Sequence, residues 1–187
     1  MNGWSEKRKI MLRYNVAASL YDMRYAEEQR AKFAAAFKHL NMEKLGVVLD
    51  VGCGTGLLFE YVADKADAVV GVDVSKRTLR IAKENAKGFS TVSLVLADAD
   101  NLPLVSGTFT SVFAFTLVQN MPNPAATVRE IERNATAGAS IVVSALKKVF
   151  SREDFEKLLR DAGLQIRALE EKDLKCYVAV CKKTGRV

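Results

Sequence analysis

The chain reads as an α/β three-layer sandwich around a seven-stranded, mostly parallel sheet with one antiparallel strand. Three observations predict it. An apolar run, Val47-Val48-Leu49, enters Asp50-Val51-Gly52-Cys53-Gly54-Thr55-Gly56, and Leu57 to Ala63 has the apolar spacing of a helix start. Strand, glycine bend and helix open a nucleotide-binding βαβ unit, with backbone N–H groups aimed at the ligand. Further apolar runs then alternate with helical patterns, as a parallel sheet requires. Finally, Gln165–Ala168 and Cys176–Cys181 are joined by the short link Glu170–Lys175, which implies a hairpin and antiparallel pairing.

Each element has a local reason. Residues 5–40 read as helix, a short capped segment followed by a longer one, with Tyr14, Ala18, Tyr21 and Tyr25 on one face. The second strand is Ala68–Val72, closed by Asp73-Val74, and Ser75 caps the helix Lys76–Ala86. Thr91–Leu96 is the third strand, followed by the acidic loop Ala97-Asp98-Ala99-Asp100. Val112–Val118 is apolar throughout, which suits a central strand buried on both faces. A proline-broken loop, Gln119–Pro124, follows at the carboxyl end of the sheet, where open α/β sheets bind substrates. Ala125–Asn134 is helical, Gly138 is the turn residue, Ser140–Ser144 is the fifth strand, and Ser151 caps a last helix that ends at Gly163.

Composition narrows the function classes. The 187 residues are 49% hydrophobic and 27% charged, the profile of one soluble globular domain with a full core. Apolar runs fall short of the ~20 residues that span a bilayer. Met1–Arg13 is charged and lacks the apolar centre of a signal peptide, so a cytoplasmic location without a membrane partner is expected. Cys53, Cys176 and Cys181 form no Cys-x-x-Cys pair and the one histidine is distant in sequence, so no metal is expected and the thiols read as buried and free. A net charge of +6 mildly favours an anionic partner such as RNA.

Spacing selects the nucleotide. The fingerprint of a dinucleotide site would require glycine at position 57, where Leu57 stands. The pattern here is Asp-x-Gly-x-Gly-x-Gly, and Asp50 would repel a pyrophosphate but suit a ligand with an ammonium group. Asp73 lies near the ~20-residue spacing of a ribose-binding acid, and its two oxygens can accept from both ribose hydroxyls.

These residues resemble motif I of the class I S-adenosylmethionine (SAM)-dependent methyltransferases, and the fold implied is Rossmann-like. Asp98 and Ala99 match that family's G-D-A-x-x-L-P segment, which implies that Asp98 accepts from the adenine amino group and the Ala99 N–H meets the ring, while Asp100 reads as a solvated bystander. Glu130–Gly138 resembles the family's E-I-x-R-x-L-x-P-G-G segment without its leucine, proline and second glycine, and Thr110 stands where the family usually has Asp. The arm Tyr14…Ala18…Tyr21-Asp22 resembles the Y-x₃-A-x₂-Y-D segment of methyltransferases of the ubiquinone-biosynthesis type. The resemblance implies SAM as cofactor, held by Asp50, Gly52, Cys53, Gly54, Gly56, Asp73, Val74, Asp98 and Ala99, with Thr116 and Gln119 toward the methionine carboxylate. Residues 1–40 would form an arm covering the site and residues 41–187 the SAM-binding domain.

The acceptor side is less specific. Asn120 and Tyr21 are the candidate catalytic residues, although Gln119-Asn120-Met121-Pro122 lacks the Pro-Pro-aromatic signature of N-methyltransferases. Small-molecule enzymes of the family usually carry a helical cap after the fifth strand, and Ser144 to Ser151 leaves no room for one. That spacing and the charge favour an RNA or a translation-associated protein as acceptor. Val92, Leu94 and Leu96 on a third-strand edge would suit a small zinc-binding activator protein. The alternatives are a quinone or lipid-precursor methyltransferase, a non-catalytic SAM-binding subunit and, more distantly, a nicotinamide-dependent reductase.

Overall fold

The computed structural model describes residues 3–184, and the side chains of residues 3 and 13–25 lie outside what it describes. The tyrosine face of the arm, including the candidate Tyr21, therefore falls outside the described residues.

The elements are α1 (Gly3–Phe37), β1 (Gly46–Val51), α2 (Phe59–Val62), β2 (Ala66–Asp73), α3 (Lys76–Asn85) and β3 (Val92–Leu96). They continue with β4 (Phe109–Ala114), α4 (Pro124–Asn134), β5 (Ala135–Leu146), α5 (Arg152–Asp161), β6 (Leu164–Glu170) and β7 (Cys176–Lys183). The seven strands lie in the order β3-β2-β1-β4-β5-β7-β6. Pairing is parallel from β3 through β5, and β7 runs antiparallel to both of its neighbours. The three-layer fold with a single reversed strand is the one expected.

Successive strand residues face opposite cores, as the period of a strand requires. Leu49, Val112 and Ile141 pack toward α4 and α5, where Ile131, Phe155 and Leu159 are fully buried. Val48, Phe113 and Val142 face the other layer, with Phe33 of α1, Val62 of α2 and Ala82 of α3. Ser75, Asn123 and Ser151 cap α3, α4 and α5 through their side-chain oxygens. The arm is one continuous helix rather than a short segment and a long one; residues 4–37 contain neither proline nor glycine to interrupt it. All three cysteines are buried and free.

Other boundaries differ from the expected ones. The helix after the glycine bend is a single turn, Phe59–Val62, continued by a tighter turn at Ala63–Lys65. β4 stops at Ala114 because Thr116 takes a left-handed φ of 58°, and Val118 lies in a 3₁₀ turn. β5 starts at Ala135 and takes in Gly138, expected as a turn, through a register shift against β4. Thr110, in place of the expected Asp, donates its hydroxyl to Leu45 O (2.8 Å) and Val47 O (3.1 Å), tying β4 to the start of β1.

The Glu130–Arg133 pair explains one stretch of the sequence. Glu130 accepts from the Leu102 N–H at 2.8 Å, while Arg133 donates to Leu102 O and Leu104 O, both at 3.1 Å. These bonds hold the loop after β3, which carries Asp98, on α4. Hydrogen bonding to Arg133 lowers the Glu130 pKa, so the clamp stays charged at neutral pH.

Phe155 is fully buried and stacks on Tyr177 at 6.0 Å between ring centroids. Phe155→Ala should cost about 3–5 kcal/mol of stability, read as a lower denaturation midpoint with an unchanged slope.

Candidate functional site

A cavity opens at the carboxyl ends of β1, β2, β3 and β4, and the sequence explains its floor. After β1 the chain turns at Gly52 and Gly54, which have φ of 74° and 57°. The N–H groups of Gly52 and Cys53 both donate to Val72 O, at 2.8 and 2.9 Å. Asp73 completes the fastening: one carboxylate oxygen accepts from the Gly54 N–H at 3.1 Å and the other from the Ser75 N–H at 2.8 Å. A Cβ on Gly54 would meet nothing within 4 Å, so this glycine serves backbone conformation and leaves open space above the bend.

Most of the expected residues converge. Asp50, Gly52, Cys53, Gly54, Asp73, Val74, Asp98, Ala99, Thr116 and Asn120 all line the cavity. Gly56 does not: its φ of 85° completes the bend, and a Cβ there would collide with the Phe59 ring. Gln119 does not line it either; its side-chain amide is buried with no hydrogen-bond partner among the described residues.

The site is acidic and partly dry. Burial, reinforced by the Asp73 charge, pushes the Asp50 carboxyl up to about 8. Burial also raises Asp73, against the lowering effect of N–H bonds from Ser75 and Gly54. Cys53 is raised by burial and then by the two aspartates, so its thiol stays protonated. Neither Asp50 nor Asp73 forms a salt bridge among the described residues. Buried acids without a cation, beside an open glycine bend, suit a positively charged ligand that also offers hydroxyl donors. An adenosyl sulfonium with an α-ammonium group has that chemistry.

The roof comes from α1, and sequence reasoning missed the side chains that make it. Lys7, Ile10, Met11, Gln29 and Phe33 line the cavity. The Lys7 ammonium lies 2.6 Å from Asp98 and 2.5 Å from Asp100. Burial alone would lower the Lys7 pKa, but the bonds to Asp100 and Asp98 prevail and raise it. Asp100 is thus not the solvated bystander expected: Lys7 pairs with it and the Thr127 hydroxyl donates to it. The only available signal was a helical pattern rich in both Lys and apolar residues, which does not say what it packs on.

Asn120 donates from its amide to Thr116 O at 2.8 Å, so it braces the end of β4 as well as facing the cavity. Among the described residues no group of three or more His, Cys, Asp or Glu could hold a metal ion, and no helix is long and apolar enough to cross a membrane.

Known proteins resemble this chain in sequence and in fold. The chain is 28% identical over 146 residues to malonyl-[acyl-carrier protein] O-methyltransferase of Marinomonas sp., covering 77% of this chain and 54% of that one. It is 29% identical over 119 residues to demethylmenaquinone methyltransferase of Staphylococcus saprophyticus, covering 62% and 51%. The chain thus spans about half the length of these curated relatives. In three dimensions it superposes with a TM-score of 0.79 on a chain from the complex between the Haloferax volcanii Trm112 methyltransferase activator and a methyltransferase. That match has 17% sequence identity and covers 92% of this chain and 98% of the other. Residues 49–143, about half of the chain, match the family model described as a methyltransferase domain. The fold, the glycine bend with its leading acid and this match agree: the chain belongs to the class I, S-adenosylmethionine-dependent methyltransferase family.

Proposed function

We propose that this protein transfers a methyl group from SAM to a macromolecular acceptor, an RNA or a translation-associated protein, and that it works with a small activator on its β3 edge. The observation that carries the acceptor class is the exposed positive charge on the two helices that reach the cavity wall. Arg8 and Lys9 on α1 and Lys76, Arg77, Arg80 and Lys83 on α3 are all exposed, and none forms a salt bridge among the described residues. α1 packs on α3, and both helices contribute to the cavity wall, through Lys7 and Thr78. Unpaired cations on neighbouring helices suit a polyanion. Only five residues, 147–151, separate β5 from α5, so no inserted cap stands over the acceptor side.

Support for the activator is topological. Among the described residues β3 pairs only with β2, which leaves one side of its backbone unpaired, and Leu96 is 56% exposed. An edge of this kind accepts an added strand. The structural neighbour from Haloferax volcanii is itself found in complex with an activator.

The roles we assign follow the geometry. Asp50 takes the ammonium of the cofactor, Asp73 the ribose hydroxyls, and Asp98 with the Ala99 N–H the adenine, while Gly52, Cys53, Gly54 and Val74 shape the backbone cradle. Gly56 shapes the bend from behind, and Gln119 is left without a ligand contact. When bound, SAM supplies a methyl group already activated by its sulfonium. The chain's task is then to orient the acceptor in line and exclude water. Asn120, past the end of β4, faces that space, and Thr116 addresses the methionine carboxylate. Residues 1–40 act as an arm over the site and residues 41–187 carry the methyltransferase core.

A second reading, methylation of a quinone or lipid precursor, is favoured by the similarity to demethylmenaquinone methyltransferase. Incubation with methyl-labelled SAM and separated RNA, protein and lipid fractions, with and without the activator, distinguishes them. Label in RNA or protein is expected; label confined to lipid overturns the first reading.

Two further outcomes are expected. Asp73→Ala should weaken SAM binding by about 1.5–3 kcal/mol, the order for hydrogen bonds to a charged group, measured by calorimetry. Asp50 is raised to about 8 in the free protein, above the ordinary carboxylate range. Its stabilising contribution is therefore complete below the unfolded value and is lost as pH rises through about 8. The free protein should melt at lower temperature at pH 9 than at pH 6, and Asp50→Asn should flatten that slope. An ammonium beside Asp50 lowers its pKa, so cofactor binding near pH 7 should release a proton, seen as a binding heat that depends on the buffer.

A further inference from the structure

Lys32 is one of the largest fully buried side chains among the described residues, with 1% of its surface exposed. Burying an ammonium costs several kcal/mol unless it is paired, and a methionine would fill the same space without that cost. The ammonium lies 2.9 Å from Glu28 Oε1, one turn earlier on α1, and donates to Thr116 Oγ1 at 3.0 Å. The pair thus spends its second contact on the residue that ends β4.

Thr116 is held from every side. It is β-branched yet sits at φ 58°, a conformation costing about 1–3 kcal/mol. Its N–H donates to Ser144 Oγ at 2.8 Å and its carbonyl accepts from Asn120 at 2.8 Å. Its hydroxyl accepts from Lys32 and from Gln29 Nε2, each at 3.0 Å. A hydroxyl has two acceptor sites and one proton, so both acceptor sites are taken. Among the described residues the proton has Gln29 Oε1 at 3.3 Å, longer than the usual O–H···O range. The other direction open to it is the cavity, which Thr116 lines.

We propose that Lys32 is a positioning residue that makes the Thr116 hydroxyl a polarised donor to an anionic oxygen at the methyl-transfer end of the cavity. This rests on the reading of the cavity as the SAM site. The anion is a carboxylate-type oxygen with two sources: the amino-acid end of the cofactor, or the acceptor held next to it. Strand register favours the first. Asp50 pairs with Phe113 across β1 and β4, and Thr116 follows three residues later, just past the end of β4, so a negative pole and a donor pole stand at the carboxyl ends of adjacent strands. An α-amino acid presents an ammonium and a carboxylate one carbon apart.

The test is titration calorimetry of wild type, Lys32→Met, Thr116→Val and Thr116→Ser with S-adenosylhomocysteine and with its decarboxylated analogue, with thermal melts to verify folding. Wild type should prefer the carboxylate-bearing ligand. Lys32→Met and Thr116→Val should each lose about tenfold or more for it and little for the analogue, while Thr116→Ser keeps the preference. If the oxygen belongs to the acceptor, both ligands bind all variants alike, and Lys32→Met lowers kcat for label transfer from SAM with its KM unchanged. Equal losses for both ligands, or no change in binding and transfer, overturn the inference. Failure of wild type to bind either ligand would overturn the cavity assignment itself, and this inference with it.

Discussion

The site depends on one fastening, the extension of the β1–β2 pairing past the last residue of β1. Val72 O holds two consecutive N–H groups of the glycine bend, and the Asp73 carboxylate holds a third and then the first turn of α3. A bend rich in glycine loses much conformational freedom on ordering, and these bonds offset part of that loss. They also bury two carboxylates within electrostatic reach of each other. The same contacts that shape the cradle therefore leave it short of positive charge, which is the property a sulfonium cofactor answers.

One helix addresses both ends of that acidic edge. α1 brings Lys7 to Asp98 and Asp100, and Lys32 to Thr116, and adds Gln29 and Phe33 to the wall. The arm is therefore part of the chemistry of the cavity as well as its cover. Lys7 satisfies the carboxylate that we assign to the adenine, so an arriving cofactor meets a salt bridge there.

The alternation of strands and helices and the cradle were legible because each rests on a local pattern. Asp50 through Gly56 specify a bend by glycine spacing, Asp73 and Asp98 each close an apolar run, and Ser75 and Ser151 announce their helices. Features built by long-range contacts were not legible. The position of Thr116 in the left-handed region has no signal of its own, since threonine is a poor residue for that conformation. It follows from Lys32, Gln29 and Ser144, two of them more than eighty positions away in the chain. Asp100 reads as solvated for the same reason: the side chain that pairs with it, Lys7, lies on a distant helix. Gln119 shows the converse limit, a polar residue in the right loop whose side chain turns away from the cavity.

The place of β7 also bears on how the molecule is assembled. It lies between β5 and β6, buried from Cys176 to Cys181, although it is the last strand among the described residues. During synthesis β2 to β5 can pair as they leave the ribosome, because each finds an earlier neighbour already made. β6 emerges with no edge to join and must wait for residues 176–183 before it docks. The nascent chain therefore carries β5 as an exposed sheet margin until translation has passed the final hairpin, an interval in which chaperone protection would matter most.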